Sequence, residues 1–237
     1  MKYILVCDLD DTLTGDKNGI IEFNKTISFN RKFFYLVYSS GRFKDSIISL
    51  IKAQNLISPN AIISNVGTEI YYDPGWNIDE KWENIVKNNW VNIKKYVLRA
   101  LDKFDLHNQP YNKKFVIPYY IEDKVMVNKI KKALERLEIK IIWTRNRCID
   151  ILPQNAGKGN SAKYIGEKLN LPIICCGDSE NDIDMLKQSK YGILVGNASN
   201  DLKNKLFNHG NIYIATSYYA KGVIEGLKYY NIYMKEY

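Results

Sequence analysis

Paired carboxylates follow the first apolar run of the chain. The run from Tyr3 to Cys7 is short, apolar and partly β-branched, which is typical of a buried parallel strand. Asp8 and Asp10 come directly after it, and Asp11 is next. Carboxylates can ligate a divalent cation, and a carboxylate can also attack phosphorus as a covalent nucleophile. This position after a strand makes the three acids candidates for phosphoryl-transfer chemistry.

A second acidic group follows another apolar run, late in the chain. Residues 172–176 have the pattern of a buried strand, which ends at Gly177-Asp178-Ser179-Glu180-Asn181-Asp182. Because an open parallel sheet binds its ligand at the carboxyl ends of its strands, we expect Asp178 and Asp182 to meet the first carboxylates in one crevice. So many negative charges would repel one another and a phosphate. The cluster therefore requires a cation, and its oxygen ligands suit Mg²⁺.

Two further signals supply groups that could hold a phosphate. Ser40-Gly41-Arg42 follows the second apolar run, and the Ser40 hydroxyl can donate a hydrogen bond to a phosphate oxygen. Lys158 opens a predicted helix and can neutralise the charge of a transferring phosphoryl group. Each signal alone is more typical of a turn or a helix cap. All four signals in this order, at strand ends and helix starts, indicate a phosphoryl-transfer site.

Strands and helices alternate at both ends of the chain but not in its middle. The stretch 74–153 predicts two consecutive helices near 78–103, a strand at about 114–121, an amphipathic helix and two more strands. We therefore predict an α/β fold with a doubly wound, mostly parallel sheet of Rossmann type. Residues 1–73 and 154–237 would form this core, and residues 74–153 an inserted α+β cap.

Composition restricts the classes of function. The 237 residues carry a formal net charge of +8, from 34 Lys and Arg against 26 Asp and Glu. The lysines are scattered, which favours a solvated surface or an anionic small-molecule substrate over nucleic acid. The chain shows neither a signal peptide nor an apolar run of ~18 residues, so we expect a cytoplasmic monomer without a membrane partner. The two histidines lie far from other candidate ligands, which argues against zinc.

The four signals resemble the signature of the haloacid dehalogenase superfamily, which is DxDx[TV], a Ser or Thr after the second strand, a Lys, and GDxxxD. The matching residues are Asp8, Asp10, Thr12, Ser40, Lys158, Gly177, Asp178 and Asp182. The resemblance implies that Asp8 is the nucleophile and that Asp10 is first the general acid and then the base. It also implies a Mg²⁺ site and a phosphate site. The metal ligands would be Asp8, Asp10 through its main-chain carbonyl, Asp178 and Asp182, and the phosphate would meet Ser40, Lys158 and Asp11.

Longer stretches resemble the sucrose-phosphate phosphatases within that superfamily. The similar segments are 38–42, 66–71, 152–160 and 176–182. This resemblance implies a sugar-phosphate phosphatase, with sucrose 6-phosphate as the leading substrate. The residues implied to contact the substrate are Arg42, Thr68, Glu69, Tyr119, Arg147, Asp150 and Asn181.

The cap departs from that family at three positions. Val116, Pro118 and Tyr120 stand where those phosphatases present Lys, Ser and His to the glucosyl unit. A site that loses such polar groups can have a changed substrate. The alternatives are therefore a phosphatase for mannosyl- or glucosyl-phosphoglycerate, trehalose 6-phosphate or mannosylfructose phosphate, a phosphomutase, and a non-catalytic binding module.

Overall fold

Two β-sheets, of eight and four strands, organise residues 1–232, which are the residues that this computed structural model describes. In chain order the strands are β1 (Tyr3–Asp8), β2 (Phe34–Ser39), β3 (Ala61–Ser64), β4 (Glu69–Tyr72), β5 (Asn77–Ile78), β6 (His107–Asn108), β7 (Ile117–Tyr120), β8 (Ile139–Thr144), β9 (Cys148–Pro153), β10 (Ile173–Gly177), β11 (Tyr191–Leu194) and β12 (Ile212–Ile214). The helices are α1 (Lys17–Phe29), α2 (Lys44–Ala53), α3 (Glu80–Leu101), α4 (Lys124–Leu134), α5 (Lys158–Leu169), α6 (Ile183–Gln188), α7 (Asn200–Leu206) and α8 (Tyr219–Tyr229). No helix within this described part of the chain is long and apolar enough to cross a membrane.

The larger sheet has the strand order β12-β11-β10-β1-β2-β3-β4-β5. The pairs from β12 to β3 are parallel, and β4 and β5 extend the sheet antiparallel at one edge. Buried apolar residues pack on both faces of this sheet. The predicted doubly wound, mostly parallel α/β sheet is confirmed. Because β1 lies between β2 and β10, the carboxyl ends of these three strands are neighbours.

The alternation of side chains along β1 decides which way its acidic end faces. Ile4 and Val6 belong to the core on the side of α5, whereas Leu5 and Cys7 belong to the core on the side of α1. Successive strand residues point to opposite faces. Asp8 therefore points towards α5, and Cys7 points to the opposite face of the sheet.

The smaller sheet has the order β6-β7-β9-β8, and all its pairs are antiparallel. The prediction of two consecutive helices before it was wrong, because α3 is one helix of 22 residues. Its apolar residues form one buried stripe along the whole helix, with no proline or glycine to interrupt it. The buried residues of that stripe are Trp82, Val86, Trp90, Val97 and Leu101.

The boundaries of the inserted cap stay a prediction. The four-stranded sheet, α3 and α4 all lie within 74–153, but β5 lies in the same range and pairs with β4 in the larger sheet. The start of α3 is also hydrogen-bonded to α5, a helix of the predicted core. Its N-cap Asp79 accepts hydrogen bonds from the Trp82 backbone N–H, the Tyr164 hydroxyl and the Lys168 ammonium, and the last two belong to α5.

One carboxylate holds the last helix against the end of the larger sheet. Glu225 of α8 accepts hydrogen bonds from the Tyr213 hydroxyl at 2.7 Å and from the backbone N–H groups of Thr216 at 2.9 Å and Ser217 at 2.7 Å. Burial acts to raise the pKa of Glu225, but the hydrogen bonds outweigh it and lower the pKa from 4.5 to about 2.

We expect Glu225→Gln to lower the free energy of unfolding at neutral pH by about 1 kcal/mol, the contribution of a typical hydrogen bond. Because the folded-state pKa is lowered, the ionised form stabilises the fold above pH 4.5, and this stabilisation is lost as the pH falls towards 2. Urea denaturation at several pH values between 4.5 and 2 measures this loss. The free energy of unfolding should fall less with falling pH in the variant than in the wild type. Glu135→Gln, at an exposed position, is the control, and an unchanged pH profile in Glu225→Gln would contradict the assignment.

Candidate active site

A buried lysine lies at the centre of the candidate site. Lys158 is the first residue of α5, and its side chain is 0% exposed. Its Nζ lies 2.5 Å from Asp8 Oδ1, 2.7 Å from Asp182 Oδ1 and 3.1 Å from Asn181 Oδ1. Burial acts to lower the pKa of Lys158, but Asp182 and Asp8 outweigh it and raise that pKa above its ordinary value. Lys158 is therefore a cation that holds two carboxylates together.

The Asp182 carboxylate accepts hydrogen bonds from the protein groups around it. Its Oδ2 accepts hydrogen bonds from the backbone N–H groups of Asp178 and Ser179, each at 3.1 Å, while Oδ1 meets Lys158. Gly177 makes room for this turn, because a Cβ there would lie 2.4 Å from the Cβ of Asp182. Both oxygens of Asp182 thus have protein donors, and this carboxylate fixes the turn and the lysine.

Asp178 joins the cluster from the carboxyl end of β10. Its Oδ1 accepts a hydrogen bond from the Thr12 hydroxyl at 3.0 Å. Its Oδ2 lies 3.3 Å from the guanidinium of Arg145, which sits in the turn between β8 and β9 and also pairs with Asp11. A side chain of the smaller sheet therefore reaches the acidic cluster of the larger one.

The cluster has more negative than positive charge. Burial raises the pKa of Asp8 well above its ordinary value, although Lys158 opposes the shift. Burial and the charge of Asp182 raise the pKa of Asp178 to about 7. Asp8, Asp178 and Asp182 each offer an oxygen within 4.8 Å of the others, a set that fits a divalent cation with oxygen ligands. Such a cation would supply the missing positive charge.

Asp10 is held at the rim of the same site by an arginine. Arg42 binds both Asp10 oxygens at 2.8 Å and also donates to Ser46 Oγ at 3.1 Å. This two-bond contact fixes the plane of the carboxylate. Arg42, predicted to contact substrate, therefore also orients Asp10.

A cavity of about 450 Å³ opens over these groups, between the larger and the smaller sheet. Its volume lies in the range of small-molecule sites. Predicted residues that line it are Asp8, Asp10, Asp11, Ser40, Arg42, Asp150 and Asn181. The sequence motifs thus converge on one cavity, with Lys158, Asp178 and Asp182 packed beside it.

Several cavity residues were missed from the sequence. Gln109, Tyr111 and Lys113 come from the loop before β7, Arg145 from the hairpin turn, and Phe43 follows the Ser40 motif. Tyr111 and Phe43 pack against each other in the cavity wall, with ring centroids 5.9 Å apart. For the four residues of the predicted cap, the only sequence signal was that polar and aromatic side chains follow one another in its loops. Phe43 lies in the predicted core, directly after Arg42.

Four predicted substrate contacts do not line this cavity. Thr68 is 0% exposed and donates to the Asn65 carbonyl, while the Glu69 carboxylate accepts from Ser64, Asn65 and Tyr71. These two residues stabilise the connection between β3 and β4.

The other two lie on the smaller sheet. Tyr119 is buried in its apolar core, on the face of β7 opposite to Pro118 and Tyr120. Arg147 is exposed, pairs with Glu122 at 3.9 Å and lies over the Tyr120 ring. It is Arg145, two residues earlier, that reaches the cavity. Contact of Thr68, Glu69, Tyr119 or Arg147 with a substrate has no support from this geometry.

Comparisons with known proteins agree with this arrangement. A family model described as sucrose-6F-phosphate phosphohydrolase matches residues 1–231. Sucrose-phosphatase 2 of Nicotiana tabacum is 31% identical over an alignment 255 positions long, which covers 98% of this chain and 60% of the relative. The chain thus spans about 60% of the length of that relative.

Two relatives have nearly the same length as this chain. Mannosylfructose-phosphate phosphatase of Agrobacterium fabrum is 25% identical, with 97% of each chain covered. The crystal structure of the sucrose-phosphatase from Synechocystis sp. PCC6803, in complex with sucrose and phosphate, is similar with a TM-score of 0.91. Its sequence identity is 25%, and 99% of each chain is covered.

We expect a divalent cation at about 100 times its dissociation constant to raise the melting temperature by roughly 5 °C, because it relieves repulsion in the acidic cluster. Asp178→Asn should abolish most of this shift. Differential scanning calorimetry with and without the cation measures both.

Asp45→Asn, which changes an exposed carboxylate on α2, should retain the full shift. An equal shift in the Asp178→Asn and Asp45→Asn variants would show that the cation binds elsewhere.

Proposed function

The chain belongs to the sucrose-6F-phosphate phosphohydrolase family, and we propose that it is a Mg²⁺-dependent phosphatase whose leading substrate is sucrose 6-phosphate. The observation that carries the proposal is the placement of Lys158 between Asp8 and Asp182, beside the cavity that Asp10 also lines. A binding module would need no second carboxylate at the cavity to transfer protons.

Asp8 is the proposed nucleophile. Lys158 holds Asp8 Oδ1, and no donor within residues 1–232 occupies Oδ2, so Oδ2 is the oxygen that attacks phosphorus. The new bond joins Oδ2 to phosphorus as the bond from phosphorus to the sugar oxygen breaks. The product of this step is a phospho-aspartate and a free sugar.

Asp10 is the proposed acid and base. In the first step it protonates the departing sugar oxygen, and in the second it takes a proton from the water that hydrolyses phospho-Asp8. Arg42 stabilises the ionised carboxylate, which is the form required in the second step. In the first step one Asp10 oxygen must release Arg42 to carry the proton.

Other residues of the site would bind the phosphate group and Mg²⁺. Ser40 lines the cavity at the end of β2, where its hydroxyl can donate to a phosphate oxygen. Asp8, Asp178 and the main-chain carbonyl of Asp10 would hold Mg²⁺. Asp182 was also predicted as a ligand, but both its oxygens already accept hydrogen bonds from the protein, so it would support the site through Lys158. When bound, Mg²⁺ supplies the positive charge that lets an anionic nucleophile approach an anionic ester.

The relatives support the choice of sugar. Sucrose-phosphatases from tobacco and Synechocystis align over 98% and 99% of this chain, and the latter was solved with sucrose and phosphate. The Agrobacterium relative favours mannosylfructose phosphate as the second candidate substrate. Both substrates are phosphate monoesters of a neutral disaccharide.

We expect purified protein with Mg²⁺ to release phosphate from sucrose 6-phosphate with the highest kcat/KM in a panel of sugar phosphates. The panel includes mannosylfructose phosphate, trehalose 6-phosphate, mannosyl- and glucosyl-phosphoglycerates and hexose phosphates. EDTA should abolish turnover and Mg²⁺ restore it, and Asp8→Asn should be inactive but folded.

Full activity of Asp8→Asn, or turnover without a divalent cation, would contradict the mechanism. Isomerised sugar phosphate without net phosphate release would instead indicate a phosphomutase. No reaction with any phosphate ester would indicate a binding module.

A further inference from the structure

A charged pair lies in the wall that the smaller sheet contributes to the cavity. Lys113, in the loop before β7, lies 3.4 Å from Asp150 Oδ1, and Asp150 belongs to β9. The two side chains are only 10% and 12% exposed, yet both residues line the cavity. The pair is thus mostly removed from solvent and faces the space that a ligand would fill.

Stability gives little reason for such a pair. Two charges taken out of water lose hydration, and their attraction often does no more than offset that loss. The distance of 3.4 Å is also longer than the 2.6 Å between Lys114 and Glu83 nearby. A mostly buried, loosely paired lysine at a cavity wall is better explained by a ligand.

The pair also has unused hydrogen-bonding capacity. An ammonium group has three donors, and Lys113 gives one hydrogen bond, to Asp150 Oδ1. Within the described chain no donor contacts Asp150 Oδ2. Two donors and one carboxylate oxygen thus remain for groups in the cavity.

The direct register partners of Asp150 contribute no competing polar side chain. Its register partners on the two neighbouring strands are Pro118 of β7 and Ile142 of β8. Residues paired in register lie on the same face of a sheet. Lys113 therefore supplies, from the loop before β7, the polar side chain that Pro118 lacks.

The charge around the cavity indicates what the pair binds. Each cation that lines the cavity has a carboxylate partner: Arg42 has Asp10, Arg145 has Asp11 and Asp178, and Lys113 has Asp150. The Lys113–Asp150 pair is neutral overall. A second anionic group on the leaving group would meet the Asp150 charge there, whereas a hydroxyl can both donate to Asp150 and accept from Lys113.

We propose that Lys113, held by Asp150, is a specificity-determining residue that hydrogen-bonds hydroxyl groups of the leaving sugar and favours a neutral leaving group over one with a second anion. This inference rests on the proposed function. It places the choice of substrate at Lys113 and not at Val116, Pro118 and Tyr120.

The test compares two adjacent lysines. Lys114 pairs with Glu83 on the outside of α3, is 56% exposed and does not line the cavity, so Lys114→Met is the matched control for Lys113→Met. For each variant, kcat/KM is measured with sucrose 6-phosphate and with p-nitrophenyl phosphate. The ratio of the two values does not depend on the fraction of folded enzyme.

We expect Lys113→Met to lower this ratio by roughly tenfold, mainly through a higher KM for the sugar substrate, because a hydrogen bond from a charged donor is lost. Lys114→Met should keep the wild-type ratio. Lys113→Met leaves the Asp150 carboxylate unpaired, which could itself disturb folding. The double variant Lys113→Met/Asp150→Asn removes both charges and controls for this effect. Its ratio should also be low.

Asp150→Asn removes the negative charge of the pair, whereas Lys113→Met removes the positive charge. It leaves Lys113 without a counter-charge, so the kcat/KM for glucosyl-3-phosphoglycerate should rise relative to that for sucrose 6-phosphate. Lys113→Met should not show this rise. An unchanged preference in Asp150→Asn would overturn the assignment of a neutral leaving group.

The remaining outcomes separate this inference from the proposed function. A wild-type sugar-phosphate phosphatase whose substrate ratio is equal in Lys113→Met and Lys114→Met would overturn the role of Lys113 alone. A wild type that hydrolyses p-nitrophenyl phosphate but no sugar phosphate would overturn the proposed function, and this inference with it.

Discussion

The site depends on one buried ammonium group among carboxylates. Lys158 is fully enclosed, and it has to reach Asp8 at the end of β1 and Asp182 after the end of β10 at the same time. The start of α5 must therefore lie very close to the sheet. Gly67 allows this approach, because a Cβ there would lie 2.2 Å from the carbonyl carbon of Gly157. Gly157 itself has a φ of 108°, a conformation that other residues rarely adopt.

The second constraint is electrostatic. The single positive charge of Lys158 does not neutralise the negative charges of the carboxylates around it. Asp8 and Asp178 have raised pKa values because they are buried near Asp182, and Arg145 compensates only part of the charge. A divalent cation with Asp178 as a ligand would compete with Arg145 for the same carboxylate. Because Arg145 lies in a turn of the smaller sheet, a cation bound by Asp178 would use the same carboxylate as the contact between the two sheets. The excess of negative charge thus fits a divalent cation and also accounts for the contact of Arg145 with Asp178.

The larger sheet and its motifs could be predicted from the sequence, because apolar runs that end in acidic or small residues indicate both a strand and its functional end. Asp8, Ser40 and Asp178 follow this rule, whereas Lys158 opens a helix. The cavity wall of the smaller sheet could not be predicted in the same way. Lys113 and Arg145 lie in loops, and their direction depends on the register of β7, β8 and β9 and on the turn at residue 145, which no local pattern determines. For Glu69 the resemblance of segment 66–71 to a known family implied substrate contact, whereas its carboxylate already accepts hydrogen bonds from neighbouring donors.

In the proposed mechanism, Asp8 forms a covalent bond to phosphorus while Lys158 holds one of its oxygens. The most direct measurement is rapid acid quenching during turnover of a sugar phosphate, followed by peptide mass spectrometry. We expect one phosphoryl group on the peptide that contains Asp8, present only while substrate is being consumed. Phosphate release at the full rate with Asp8 unmodified at every quench time, or with the phosphoryl group on another residue, would contradict it.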